Sequence, residues 1–155
     1  MTKRKIALML LGVLAAFAVC FAADDPQMGT WKLNEAKSHF PPGAAKNATV
    51  VYEMSGENVK VTVDGVTADG KPSHSVWTGK FDGKDYPVTG DATSDMRSYT
   101  RVSERTLSIS VKKGGKVTGT GHVTISADGK SRTVTLTMTD ASGNKVVSTA
   151  VYDRQ

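Results

Sequence analysis

From Thr49 to the end of the chain, apolar and polar residues alternate with a period of two, and glycine, asparagine or aspartate interrupts the alternation at short intervals. A period of two sends successive side chains to opposite faces of a strand, whereas a helix would need apolar residues three and four apart. The pattern therefore restricts the chain to antiparallel strands joined by tight turns. Strands are expected over 49–55, 58–64, 74–81, 84–89, 95–102, 106–112, 116–126, 133–139 and 145–154. Ahead of them, Gly29-Thr30-Trp31-Lys32-Leu33-Asn34 forms a short strand carrying one of the two tryptophans. Asn34 is placed to cap a turn of helix over 35–38, which Pro41-Pro42-Gly43 ends, with 44–47 as connector. Asp64-Gly65, Asp69-Gly70, Asp82-Gly83, Gly114-Gly115 and Asp128-Gly129 read as turns, and Pro87 places its strand at an edge or bend. Ala68-Asp69-Gly70-Lys71 recurs as Ala127-Asp128-Gly129-Lys130, an echo that hairpin chemistry alone produces.

The faces follow from the same alternation. Val59, Val61 and Val63 share one, as do Leu107, Ile109 and Val111. Val117, Gly119, Gly121, Val123 and Ile125 share another, and Val134, Leu136 and Met138 a fourth. Over 95–102 the alternation is ambiguous, with Arg97, Tyr99 and Arg101 opposite Met96, Ser98 and Thr100. Burying two arginines requires acids or an anion beside them. That cost favours Met96, Ser98 and Thr100 as the inward set. Short strands with one apolar and one polar face, and no disulfide, argue for closure, because a closed sheet has no free edge. The expected fold is all-β, a single antiparallel up-and-down β-barrel of about 8–10 strands.

The first residues are expected to lie outside that barrel. Lys3-Arg4-Lys5, the apolar run Ile6 to Val19 and Ala22-Ala23 have the three-part pattern of a secretory signal peptide. The run is too short for a membrane span. The expected division is a signal over 1–22, a helix that is cleaved off, and a barrel domain over 23–155, secreted or periplasmic. Cys20 is the single cysteine. Val19 directly before it fits a lipid-acceptor site poorly, so no lipid anchor through Cys20 is expected. The chain has 20 basic and 15 acidic residues, and Lys3, Arg4 and Lys5 belong to the signal. The remaining charges are interspersed, which excludes a nucleic-acid footprint.

Motifs of chemistry are sparse. His39, His74 and His122 form no close pair, so no metal site is expected. Asp82 and Asp85 lack the ligand ladder of a calcium loop. There is no Gly-x-Ser-x-Gly elbow, and Lys113-Gly114-Gly115-Lys116 joins strands instead of opening a helix. Neither an enzyme nor a cofactor is expected. Asn47-Ala48-Thr49 matches a glycosylation acceptor that matters only in a eukaryotic host.

The Gly29-Thr30-Trp31 start, followed by a meander of hairpins, resembles the calycin superfamily, the lipocalins and fatty-acid-binding proteins, in which Gly-x-Trp marks the first strand. With Lys37-Ser38-His39-Phe40 and Pro42-Gly43, it also looks like a family of small secreted bacterial lipocalin-like proteins. The segment 35–48 is too short for the two-helix lid of the fatty-acid-binding proteins, and the mid-chain Thr-Asp-Tyr motif of lipocalins is missing. The resemblance implies that Trp31 plugs one end of the barrel, with Arg154 packed across it. It also implies a small apolar or amphipathic ligand. Trp31, Arg97, Tyr99, Tyr152 and Arg154 are the candidate ligand-binding residues, with Tyr152 and Arg154 two apart on one face in the reverse of the Arg-x-Tyr order that fatty-acid-binding proteins use. The alternative is a filled barrel acting through its surface, as an envelope structural or protease-inhibitor-like protein. Gly119 and Gly121 separate the two: open space above them means a cavity, whereas Trp77, Tyr52 or Met54 filling that space means a solid core.

Overall fold

The computed structural model describes residues 25–155. The signal segment, its cleavage site and Cys20 lie outside the described residues. The chain forms β1 (Gly29–Leu33), a single 3-10 turn (Glu35–Lys37), then β2 (Lys46–Ser55), β3 (Asn58–Val66), β4 (Pro72–Gly79) and β5 (Tyr86–Thr89). It continues through β6 (Met96–Ser103), β7 (Thr106–Lys113), β8 (Lys116–Ile125), β9 (Ser131–Thr139) and β10 (Lys145–Arg154). Every strand pairs antiparallel with its sequence neighbours, and β1 pairs with both β2 and β10 to close the barrel. The all-β up-and-down barrel read from the alternation is the observed architecture.

Asn34 caps the 3-10 turn as its sequence position suggests, its side-chain oxygen accepting from the Lys37 amide at 3.2 Å. The inward faces of β3 and β7 are those expected, with Val59, Val61, Val63, Leu107, Ile109 and Val111 buried. Val123 and Ile125 of β8 are buried, while Val134, Leu136 and Met138 of β9 are half-buried against the core.

Five expectations are corrected. Asp64-Gly65 is no turn: β3 runs on to Val66, and Gly65 pairs with Asn47 of β2 beside a bulge. A Cβ at Gly65 would lie 2.1 Å from the Lys46 carbonyl, so the glycine is there for close backbone approach. That bulge also lets β2 begin at Lys46, inside the expected connector. Val117 faces out and is 53% exposed, because the pairing shifts between Val111 and Lys112 and the bulge inverts the phase of β8 before Gly119. Phe81 leaves β4, which ends at Gly79, yet still packs against the core from the connection to β5. The fifth correction concerns β6. Tyr99 is 2% exposed and Arg97 lies on the same inward face, so Ser98 and Thr100 point outward. Arg101 lies in phase with them but is more exposed, near the Asp25 carboxylate.

Candidate functional site in the barrel interior

Tyr99 turns inward because aromatic partners await it. Its ring meets Trp77 edge-on at 4.8 Å between centroids, Phe81 at 5.8 Å and Tyr52 at 6.5 Å. Tyr86 joins through an edge contact with Trp77 at 5.7 Å. Edge-to-face pairs of this kind contribute about 0.5–1.5 kcal/mol each beyond their burial, enough to choose between two faces of an ambiguous strand. The Trp77 indole N–H donates to the Arg97 carbonyl at 2.9 Å, which ties β4 to β6 where the intervening β5 is short.

Three arginines have parts in or beside the core, and their surroundings differ. Arg154 lies with its guanidinium 4.2 Å from the Trp31 ring centroid. Its Nε donates to Gly129 O at 2.7 Å, Nη1 to Met28 O at 2.6 Å and Nη2 to Pro26 O at 2.7 Å. Trp31 beneath it is 0% exposed and donates its indole N–H to Gln27 O at 3.1 Å. This pair closes the end of the barrel where the β8–β9 turn and the chain's last strand meet the lead-in segment. Arg97 sits with its side chain 13% exposed, 3.3 Å from Asp91 Oδ2. Burial opposes ionisation of Asp91, yet hydrogen bonds from Ser94 and Thr93 and the charge of Arg97 hold its carboxyl below the usual carboxylate range.

Arg132 is the third, and the sequence reading missed it. It is 3% exposed, and its guanidinium carbon lies 4.5 Å from the centroid of Tyr52 and 5.6 Å from that of Tyr152. Nη2 donates to the Tyr52 hydroxyl at 2.6 Å. Nε and Nη1 are buried, and among the described residues neither has a protein acceptor and no carboxylate is paired with this arginine. The signal was present: Arg132 is in phase with Val134, Leu136 and Met138, but the expected strand began one residue too late to include it.

Tyr152 stands beside Arg132 in the ladder between β9 and β10, and Leu33 flanks it on β1. Burial pushes its phenol up to about 12, with the neighbouring Arg132 charge pulling the other way. Burial raises the Tyr52 phenol further, against the same charge. Both hydroxyls are therefore neutral at any ordinary pH and able to donate as well as accept. Of the candidate residues, Tyr99, Arg97 and Tyr152 share this interior, while Trp31 and Arg154 lock together at the closed end.

Beyond Arg132 the inner face of β9 continues as Val134, Leu136 and Met138, opposite the small residues Gly121, Gly119 and Ala150 in the register. The space above Gly119 is taken by Met138, whose sulfur would lie 2.1 Å from an added Cβ. Gly121 backs onto the β9 backbone. Trp77 and Tyr52 are buried in the aromatic cluster, whereas Met54 is 60% exposed and fills nothing.

No protein-family model matches the chain, and no curated protein matches it in sequence. Among solved structures it is similar to a redesigned β-barrel, mFAP1, bound to DFHBI, with 16% identity and a TM-score of 0.44. The match covers 83% of this chain and 95% of that one.

Proposed function

We propose that the protein is a secreted or periplasmic barrel that binds a small amphipathic ligand and is not an enzyme. The anionic head would sit on Arg132, between the hydroxyls of Tyr52 and Tyr152, and the apolar part would run along Val134, Leu136 and Met138. The observation that carries this reading is the buried Arg132 guanidinium with two N–H groups unsatisfied and no acid beside it. An uncompensated buried charge costs several kcal/mol, and a carboxylate on those two N–H groups would offset it with charge-assisted hydrogen bonds. Met138 is a flexible thioether and gives way more readily than a branched side chain, so the filled space above Gly119 does not bar an apolar tail.

An anthroyloxy-labelled stearic acid and its methyl ester, titrated by fluorescence, test the reading. The acid should bind saturably, with the ester about tenfold weaker because it loses the charged partner. Arg132→Met should remove that preference while remaining folded. Equal binding of acid and ester would overturn it. The packing of Met138 over Gly119 and of Trp77 and Tyr52 within the core favours the second reading, a filled barrel working through its surface. No uptake by the folded protein would select that reading.

A further inference from the structure

The outer face of β6 to β9 differs from the rest of the barrel surface. Ser98, Ser110, Thr120 and Thr137 stand opposite one another across the four strands. The next row is Thr100, Ser108, His122 and Thr135, in the same register. Together they line a concavity of about 390 Å³ whose floor is the backbone of the paired residues Ile109 and Gly121. No lysine, arginine, aspartate or glutamate is among the lining residues. Elsewhere on the outer surface opposite charges interleave as usual, with Glu53 3.1 Å from Lys60 and Glu57 3.2 Å from Lys80. Among the described residues, none of the eight side chains in the two rows is hydrogen-bonded to another part of the chain.

We propose that this concave hydroxyl face is a binding site for an uncharged carbohydrate chain. Each serine or threonine hydroxyl both donates and accepts. Strand pairing spaces them about 4.8 Å apart across the sheet and about 6.8 Å along it. An anion would find no lysine or arginine here and a cation no acid, while the threonine methyls interleave apolar surface with the hydroxyls, as the C–H faces of a sugar ring interleave with its own hydroxyls. A neutral polyol, whose hydroxyls also donate and accept, is the chemistry that matches every lining group. With no aromatic platform on this face, affinity is modest, on the order of millimolar per site. The site is separate from Arg132, which lies on the opposite side of the same sheet.

Chitotriose, cellotriose and maltotriose, each titrated into the isotope-labelled protein and followed by amide chemical shifts, provide the test. At least one should shift amides of Ser98, Ser110, Thr120 and His122 saturably. Ser110→Ala with Thr120→Val, which keeps the strand propensity, should weaken that binding about five-fold or more. Arg132→Met should leave it unchanged. A triuronic acid should bind less well than the neutral trisaccharides. The proposal falls if none of the three shifts the face, or if the shifts survive in the double variant with its barrel spectrum intact. It falls equally if the triuronic acid binds as well. Shifts of the same amides with protein concentration alone would also overturn it, since they would show the face covered by a second copy.

Discussion

Arg154 and Arg132 are two arginines over aromatic rings in one barrel, and they do opposite things. The Arg154 guanidinium covers Trp31 and gives its donors to three backbone carbonyls. Every carbonyl it reaches belongs to a turn or lead-in segment that has no ladder partner for that oxygen, so the side chain completes the fold. The Arg132 guanidinium lies against Tyr52 with one hydrogen bond made and two groups left over. Satisfaction, not burial, distinguishes a charge that stabilises from one that waits for something else.

The contrast is open to direct attack. Trp31→Ala should have the largest effect, a loss of about 3–5 kcal/mol in urea unfolding, because the cavity opens beneath a clamp that cannot collapse. A near-normal midpoint would remove Trp31 from the role of plug. Arg154→Met should cost about 2–3 kcal/mol, since three carbonyls lose charge-assisted donors. Arg132→Met should have the opposite sign, raising stability by about 1–2 kcal/mol while abolishing acid-selective ligand binding. If Arg132→Met instead destabilises as much as Arg154→Met, the two arginines are alike and the distinction fails.

The tyrosines sharpen the same comparison through pH. The folded Tyr152 phenol lies above its unfolded value of 10.0, at about 12, so its contribution is intact below pH 10 and is lost as pH rises towards 12. Tyr52 shifts in the same direction. Stability should therefore fall by about 1.4 kcal/mol per pH unit for each such tyrosine above pH 10. Absorbance at the phenolate band should show neither Tyr52 nor Tyr152 ionising near pH 10 while the barrel is folded. The smallest effect expected is at the surface: Glu53→Ala, which removes the exposed pair with Lys60, should change stability by less than about 1 kcal/mol.

Strand existence was legible because Val and Thr alternate without a competing period, and β7 and β10 fall where the pattern puts them. Strand phase was legible only where one set is plainly apolar. In β6 both sets mix polar and large residues, and weighing the cost of burying Arg97 pointed the wrong way. Asp91, six residues earlier in a loop, supplies the acid that removes that cost. Nothing local announces that a loop carboxylate will fold back onto a strand. Arg132 was missed at a strand boundary, where turn chemistry at Asp128-Gly129 hides how early the ladder resumes.

Alternation with turn residues determined by itself that this chain is an antiparallel meander, since a period of two fits no other backbone. Which residues face one another across the barrel was decided only by closure. Tyr52 of β2 reaches Arg132 of β9 because closure through β1 and β10 brings strands distant in sequence around one interior. Sequence spacing carries no information about that distance, and the charge left unsatisfied there exists only in the folded state.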